Sequence, residues 1–469
     1  MNMPRIKNIF ATRNMVKEDF IAGDIPSSRE AYGTSLRIAL PSVVEMTSLS
    51  FIGMISTAMV GRLGPEAVAA VGLVSQPRMI FMALFFALNV GVTAVISRRK
   101  GQGDQTAARL CVRQAMMIAL AISVVMTAMA VSLARPMMQF AGAQYDTIDL
   151  ATSYFRITSM FLPLNALTMT ISAAQRGIGN TRVTMVVNIA ANIVNVIFHI
   201  LLIEGRFGFP RLEVDGAAIA VAISGAVGMV LAIASILKKD AYLKISLRDT
   251  WRPDIPMIKS IGKIGGNSIF EQMCMRIGFF AYAIIVASLG TAAFASHQIA
   301  MQMMHLSFTF ADGIAVATTA LVGQQLGAKR PDLSIMYGKI GQRMALIVSI
   351  FLVTFSILGR YWFPSMFTND PSIIAMTAGL MLILAMVQPI QTSQLIMAGC
   401  LRGAGDTRFV ALTMLLSVAL ARPLFSLLLV FALGMGLPGA WYAIIADQGL
   451  RLIMLYGRFA RGKWTEIKI

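Results

Sequence analysis

Charged residues are scarce in this sequence, which holds 13% Asp, Glu, Lys and Arg and 57% hydrophobic residues among its 469 positions. Soluble domains carry about 25% charged residues, so this chain has too few of them to cover a surface that faces water. Its mean hydropathy of +0.72 is typical of a protein whose solvent is the lipid bilayer. The composition therefore excludes an ordinary soluble domain.

Residues that build metal sites and catalytic clusters are also rare. The three cysteines have no CxxC spacing, which argues against a zinc site or a disulfide framework. The three histidines, His199, His297 and His305, are spread over the chain, so the sequence offers no cluster of acid, base and nucleophile for a membrane enzyme. We therefore expect no enzymatic activity and no cofactor apart from a coupling ion.

An apolar signal sequence is missing from the first 35 residues, which are polar and carry both signs of charge. This composition argues against a cleaved signal peptide. It favours a disordered tail over the alternative, a short amphipathic helix on the inner membrane surface.

The chain instead contains two copies of one unit. The segment 175–182, Gln-Arg-Gly-Ile-Gly-Asn-Thr-Arg, recurs at 401–408 as Leu-Arg-Gly-Ala-Gly-Asp-Thr-Arg. The displacement is 226 residues (402 − 176), and the same displacement carries Glu45 onto Glu271 and Gln76 onto Gln302. Duplicated halves in an apolar protein are typical of transporters, in which a site between two similar bodies opens to either side in turn.

Apolar runs of about 20 residues, long enough to span a bilayer, occur six times in each copy. The sequence therefore predicts an all-α membrane protein with twelve transmembrane helices in two six-helix lobes. Because six spans return the chain to its starting side, the lobes should be related by a pseudo-two-fold axis along the membrane normal. The predicted segments are a cytoplasmic N-terminal segment 1–35, an N-terminal lobe 36–237, a linker 238–259, a C-terminal lobe 260–457 and a tail 458–469.

The net charge of +18 is concentrated in the segments between the predicted spans. Aromatic residues do not alternate with the basic ones as in a nucleic-acid groove, so no nucleic acid is expected as a partner. The predicted inner segments hold most of the charge, including Arg98, Arg99, Lys100, Lys238 and Lys239. Because cytoplasmic loops collect Lys and Arg, we predict a multi-pass protein of the plasma (cell inner) membrane with both termini in the cytoplasm.

The repeated loop motif follows the fourth span and the tenth span. Its glycines permit a left-handed residue at the end of the incoming helix, and Asn180 and Asp406 can cap the outgoing helix. One interpretation is a tight, capped turn whose arginines face lipid headgroups. The other is a gating contact that closes the inner side. The gating candidates are Arg176, Asn180, Arg182, Arg402, Asp406 and Arg408.

These motifs resemble the multidrug and toxic compound extrusion (MATE) transporters, of the NorM/DinF-like branch of the MOP flippase superfamily. The resemblance rests on the doubled motif, on Val60-Gly61-Arg62-Leu63-Gly64, on the segment 321–328 and on the tail 458–464. It implies two six-helix lobes, a central cavity, and export of amphiphilic, often cationic compounds driven by H⁺ or Na⁺.

Buried carboxylates are the first candidates for ion coupling, because a charge at bilayer depth costs at least a few kcal/mol and needs a reason. Glu45 and Glu271 occupy equivalent places in the first span of each lobe and are expected to approach a central cleft. A desolvated carboxylate there could take up a proton near neutral pH. The alternative is a structural carboxylate bonded to neighbouring helices.

Polar residues on the eighth span fall on one helical face. They are Gln298, Gln302, His305, Thr309 and Asp312. A polar stripe on a spanning helix faces protein or water, so we predict that it lines a cavity, with His305 and Asp312 as further coupling candidates. Packing against the other lobe is the alternative.

A second polar stripe runs along the fifth span. It consists of Asn188, Asn192, Asn195 and His199, which are spaced by 4, 3 and 4 residues. The alternatives are interhelical hydrogen bonding and a polar pocket inside the N-terminal lobe. Members of the family often have a carboxylate in the first or the fifth span, at positions that correspond to Ser56 and Asn195. Because this chain has no carboxylate at either position, the predicted coupling role shifts to Glu45, Glu271 and Asp312.

The remaining cavity candidates are Gln76, Gln388 and Gln391, the last two flanking Pro389 in the tenth span. Pro163 is the equivalent proline in the fourth span, and each proline permits a bend. Near the end of the last span, Asp447 and Arg451 are predicted to form an ion pair.

The sequence therefore predicts a secondary active multidrug antiporter that exchanges amphiphilic, cationic compounds for H⁺ or Na⁺ by alternating access. Its expected partners are small molecules and the bilayer, and a site within one chain favours a monomer. The alternative is a lipid-linked saccharide flippase or a metabolite exporter of the same superfamily. A major-facilitator transporter also has six plus six helices, but its loop signature is missing at Ser97–Gly101.

Overall fold

The structure is a computed structural model that describes residues 10–246 and 249–467. Residues 1–9, 247–248 and 468–469 belong to the predicted N-terminal segment, linker and tail and lie outside the described residues. Within the described ranges the regular structure is entirely helical. The all-α class predicted from the sequence is therefore confirmed.

The chain forms sixteen α-helices in the part that the structure describes. They are α1 Ser28–Gly61, α2 Pro65–Gly101, α3 Gln105–Ser132, α4 Ala134–Phe140, α5 Ile148–Met160, α6 Leu162–Gly177, α7 Thr181–Glu204, α8 Glu213–Leu237, α9 Ile255–Ala287, α10 Thr291–Gly327, α11 Pro331–Leu358, α12 Trp362–Ser365, α13 Pro371–Ala404, α14 Thr407–Met414, α15 Arg422–Leu427 and α16 Gly436–Ala460. Two π-helical segments, Leu415–Ala421 and Leu428–Ala432, join α14 to α15 and extend α15.

Ten helical segments of the described chain are long and apolar enough to cross a membrane, or eleven if α5 and α6 count as one bent span. The predicted twelfth span lies within α16, where Asp447, Gln448 and Arg451 interrupt the apolar run. The spans are longer than their apolar cores, since α1 begins at Ser28 and not near residue 36. Most of the predicted spans are thus present as helices.

The chain divides into two compact units. The N-terminal unit is Val44–Gly266, and the C-terminal unit combines the segment through Val43 with Asn267–Ile469. The divisions fall inside α1 and α9, not in the linker. Each unit therefore shares a continuous helix with the other at both crossing points.

In the N-terminal unit, α6 packs against α2, α3 and α8, and α7 packs against α8. In the C-terminal unit, α13 is the central helix and packs against α10, α11 and α16. Small residues permit these close approaches. A side chain in place of Gly403 would meet the backbone carbonyl of Thr319 at 2.3 Å, so α10 and α13 touch through their backbones there.

The segment 10–27 is ordered, which corrects the expectation of a disordered tail for this part of the chain. Met15 is buried, and Lys339 donates a hydrogen bond to its carbonyl oxygen at 2.6 Å. Arg330 binds the carbonyl oxygen of Asp24 at 2.8 Å. Hydrogen bonds from α11 and from the residue just before it therefore hold this segment in place. The composition of the segment does not indicate these contacts.

The two equivalent prolines differ in their effect on the helix that contains them. Pro163 lies at the start of α6, where the fourth span breaks and bends by 49°. Pro389 lies inside α13, which runs unbroken from residue 371 to 404. The prediction of a bend is thus confirmed for the fourth span, while the tenth remains one helix.

Candidate functional site

A cavity of about 560 Å³ lies inside the N-terminal unit, walled by α1, α2, α5, α6, α7 and α8. All four members of the fifth-span stripe line it: Asn188, Asn192, Asn195 and His199. Their spacing of 4, 3 and 4 keeps them on one face of α7. The pocket interpretation of this stripe therefore has a structural basis, and a substrate role for it stays a prediction.

A chain of neutral hydrogen bonds crosses the cavity wall. Ser56 donates to the side-chain oxygen of Asn195 at 3.3 Å, and Asn195 donates to the hydroxyl of Ser224 at 3.4 Å. The two positions at which family members often carry a carboxylate therefore meet in this chain through an alcohol and an amide. This part of the wall is polar but uncharged.

Deeper in the wall, two side chains have nitrogen atoms without a side-chain partner. His199 is 2% exposed, and no described side chain hydrogen-bonds either of its ring nitrogens. The backbone of Ala217 lies beside the ring. The amide nitrogen of Asn192 likewise has no partner in the described chain. These nitrogen atoms are covered by the packing of the cavity wall.

Glu45 is 1% exposed and lies at the edge of this site. It accepts hydrogen bonds from Thr184 at 2.7 Å, from Asn188 at 2.7 Å and from Arg176 at 3.2 Å. Asn188 also lines the cavity, so one amide touches both the carboxylate and the space where a ligand would lie. The structure thus links a predicted coupling residue to a predicted cavity residue.

Glu271 is the equivalent carboxylate of the C-terminal unit and is also 1% exposed. Arg402 pairs with it and is its hydrogen-bonding partner within the described chain. The residues that correspond to Thr184 and Asn188 are Val410 and Met414, which have no donor to offer. Glu271 therefore depends on one arginine, whereas Glu45 has three donors.

The two loop motifs supply these arginines, which corrects the interpretation that the first arginine of each motif faces lipid headgroups. Arg176 and Arg402 point into their own units toward the glutamates. Gly179 and Gly405 adopt left-handed conformations, with φ of 81° and 85°, as predicted. Arg182 and Arg408, the second arginines of the motifs, are exposed.

The predicted capping by the motif is wrong. Asn180 and Asp406 lie at the N-cap positions of α7 and α14, but neither side chain makes a capping hydrogen bond. Asn180 instead donates to the side chain of Gln175, and Asp406 pairs with Arg458 at 2.8 Å. Tertiary partners therefore compete successfully with local capping at both turns.

The eighth-span stripe lies on the surface of the C-terminal unit, on α10. Gln298, Gln302, His305 and Asp312 are exposed. Asp312 lies within electrostatic range of Arg402, the partner of Glu271. A coupling role for His305 and Asp312 stays a prediction.

The other glutamines are separate from the cavity described above. Gln388 is fully buried and donates to Ser307 at 3.0 Å and to Ser356 at 2.9 Å. Gln391 is also buried and bonds the backbone of α10. Gln76 is exposed on α2. These contacts are interhelical, and a substrate role for the three glutamines stays a prediction.

Asp447 is the centre of a buried ion cluster in the C-terminal unit. The predicted pair with Arg451 is confirmed, at 2.9 Å, and Arg422 pairs with the same carboxylate. Arg451 also donates to Ser417 at 3.3 Å. All three charged side chains are at most 3% exposed. The ion pair is thus part of a larger cluster than the i,i+4 spacing indicated.

Arg78 is a site residue that the analysis of spans and stripes missed. It lies in α2 and lines the cavity together with Tyr154 of α5. The signal was present, because an arginine inside an apolar run is itself a functional candidate. No group of three or more His, Cys, Asp or Glu that could hold a metal ion occurs among residues 10–246 and 249–467.

The helical spans and the internal cavity define a multi-pass membrane transporter, and comparison with known proteins gives its family. The MatE family model matches residues 41–201 and 268–428, more than half of the chain and once in each half. The chain therefore belongs to the multidrug and toxic compound extrusion family.

Relatives of similar length support this assignment. The chain is 28% identical to the uncharacterized transporter YisQ of Bacillus subtilis (strain 168), over 91% of this chain and 93% of that protein. It is 29% identical to the probable multidrug resistance protein NorM of Thermotoga maritima, over 92% of each. A solved structure described as the outward-facing conformation of a multidrug resistance MATE family transporter of the MOP superfamily superposes with a TM-score of 0.86 at 22% identity. It covers 99% of this chain and 100% of that one, and it shows the fold.

Proposed function

We propose that this transporter exports small amphiphilic compounds in exchange for H⁺ or Na⁺, by alternating access. The observation that carries the proposal is the cavity in the N-terminal unit. Its volume of about 560 Å³ lies within the range of roughly 300–1,000 Å³ that holds drug-sized ligands. The name of the Thermotoga maritima relative, a probable multidrug resistance protein, supports export of this kind.

Asn188 supplies a physical route for exchange. Its amide nitrogen is 2.7 Å from Glu45 and its side chain lines the cavity. A proton or Na⁺ at Glu45 removes the negative charge that holds this amide, which is then free to bind a ligand in another orientation. Ion and ligand thus bias the same group, and by linkage each changes the affinity for the other.

The proposal includes a monomer in the cell inner membrane with both termini in the cytoplasm. The support is the concentration of Lys and Arg in the predicted inner segments. Cationic substrates, which the family resemblance implies, would need a carboxylate that is free to meet them. Glu45 and Glu271 are each already paired with an arginine.

The test is export of a dye from proteoliposomes that contain the purified protein, under an imposed pH gradient or a Na⁺ gradient. One gradient should drive export and the other should not, which identifies the ion. Gly228→Met should block it, because Gly228 lines the cavity and a longer side chain would fill the space. A ligand would overlap the Met side chain, so export should fall at least about tenfold, equivalent to about 1.4 kcal/mol of binding free energy.

Gly228→Ala is the matched control. A Cβ at this position would lie 3.4 Å from the Cβ of Ala191 and 3.5 Å from Thr168, which are ordinary contacts. Export by this variant should remain close to that of the unmodified protein. Equal export by the Met and Ala variants would remove the cavity from the transport path, and no export under either gradient would overturn the proposal.

A further inference from the structure

The cavity of the N-terminal unit contains a positive charge and no carboxylate. Its ionisable lining residues are Arg78, Tyr154 and His199, and no Asp or Glu is among the residues that line it. From this charge inventory we propose that the cavity selects small amphiphilic anions, such as aromatic carboxylates, with Arg78 as their counter-charge. The inference rests on the proposed export function and names the substrate class of the same site.

Arg78 has no acidic partner in the described chain. It lies in α2, where it is exposed and lines the cavity, and Tyr154 is an ionisable lining residue within its electrostatic range. A guanidinium that faces an open cavity is hydrated there, so its charge can persist without a protein partner. A bound anion would supply the missing partner and could form two parallel hydrogen bonds with the planar guanidinium.

Two carboxylates near the cavity, Glu45 and Asp215, are already neutralised or bound elsewhere. Arg176 pairs with Glu45. Asp215, two residues before the lining residue Ala217, accepts a hydrogen bond from Ser153 at 2.6 Å and does not line the cavity. A cation that entered would therefore meet the repulsion of Arg78 without a carboxylate to compensate.

The rest of the lining suits the polar end and the apolar body of such an anion. The amide group of Asn165, which lines the cavity, carries N–H donors that suit carboxylate or sulfonate oxygens. Aliphatic side chains of α1 and α2, such as Ile52 and Val71, line the same space and can cover an aromatic ring. The combination favours an anion with one flat apolar face.

The experiment compares two dyes with the same xanthene scaffold and opposite charge, carboxyfluorescein and rhodamine 123. Fluorescence polarisation with the purified protein measures the Kd of each. The anion should bind more tightly. Arg78→Gln should weaken its binding about tenfold or more, the value of a hydrogen bond to a charged group, while Arg78→Lys should retain most of the affinity.

Arg135→Gln is the control, because Arg135 is an exposed arginine that pairs with Asp149 outside the cavity. It should leave both Kd values unchanged. Tighter binding of rhodamine 123 by the unmodified protein would overturn the inference, as would an unchanged Kd for the anion in a folded Arg78→Gln variant. If Arg78→Gln does not fold, the Kd of the anion for Arg78→Lys is the measurement that tests the inference.

Transport of the two dyes in proteoliposomes separates this inference from the proposed function. Export of rhodamine 123 without export of carboxyfluorescein would overturn the anion preference and leave the export proposal in place. Export of neither dye under either gradient would count against both. Export of carboxyfluorescein that Arg78→Gln reduces about tenfold would support both.

Discussion

In the N-terminal unit α7 and α8 line an open cavity, whereas the corresponding helices of the C-terminal unit close around a buried ion cluster. The correspondence is fixed by two glycines. A Cβ on Gly216 of α8 would lie 2.5 Å from the carbonyl oxygen of Leu202, and a Cβ on Gly439 of α16 would lie 2.9 Å from that of Leu429. Both glycines therefore mark the same close approach to the preceding span, displaced by 223 residues (439 − 216).

At this displacement two residues that line the cavity correspond to two members of the ion cluster. Ser224 and Gly228, which line the cavity, correspond to Asp447 and Arg451 of the ion cluster. Small neutral side chains leave space in one unit, and two long charged side chains occupy it in the other. The same scaffold thus has an open site in one half and a packed interior in the other.

The fifth and eleventh spans contribute to the same difference. The displacement is 226 at Thr181 and Thr407 but 227 at Leu202 and Leu429, which is one extra residue, and the π-helical segment Leu415–Ala421 lies between these two points of the eleventh span. With 227, Arg422 corresponds to Asn195 (422 − 195). An amide that bonds Ser224 is therefore replaced by a guanidinium that bonds Asp447.

The largest expected effect comes from disrupting the ion cluster of the C-terminal unit. Asp447→Asn leaves Arg422 and Arg451, 1% and 3% exposed, without their counter-charge. Breaking a buried pair costs about 3–5 kcal/mol, and two arginines place this variant at the upper end. The free energy of unfolding in detergent measures it.

Ser224→Ala is the matched change in the cavity wall of the N-terminal unit. It removes one hydrogen bond of 3.4 Å from a cavity wall, so the loss should stay below about 1 kcal/mol. Equal losses in the two variants would mean that the cluster is no more important for stability than the cavity wall.

The two motif arginines should give the next largest difference. Arg402→Gln leaves Glu271 without its hydrogen-bonding partner and should destabilise the protein by about 3 kcal/mol. Arg176→Gln should cost about 1.5 kcal/mol, the value of one hydrogen bond to a charged group, because Glu45 keeps Thr184 and Asn188. Unfolding in detergent measures both variants.

The second arginines of the motifs provide the controls. Arg182→Gln and Arg408→Gln change exposed side chains and should stay within about 0.5 kcal/mol of the unmodified protein. If Arg176→Gln proved as damaging as Arg402→Gln, the extra donors around Glu45 would have no compensating effect.

Local periodicity predicted the parts of the site that depend on one helix. The steps between Asn188, Asn192, Asn195 and His199 predicted a single polar face, and the structure has that face on the cavity. Helix geometry alone sets such a face, so no knowledge of the neighbouring helices was needed.

Periodicity along one helix could not predict contacts between residues that are distant in sequence. Arg176 lies 131 residues from Glu45, and nothing in the loop motif indicates which carboxylate it meets. The extra residue of a π turn has no sequence signal of its own, so a fixed displacement of 226 paired Asn195 with Ala421 and concealed the match with Arg422. Tertiary packing decides both, and it also decides that Arg78, which the sequence marks as a candidate, lies at this cavity.

The smallest expected effect tests the comparison at one hydrogen bond in each unit, at positions 226 residues apart (282 − 56). Tyr282→Phe removes the hydrogen bond of 3.2 Å to the carbonyl oxygen of Ala440 in a packed interior, which should cost about 0.5–1.5 kcal/mol. Ser56→Ala removes the bond of 3.3 Å to Asn195 at the cavity wall. It should cost less than Tyr282→Phe, because water in the cavity can replace the lost partner. Only Ser56→Ala should change the affinity for a bound dye, and a change caused by Tyr282→Phe instead would place the ligand in the filled unit.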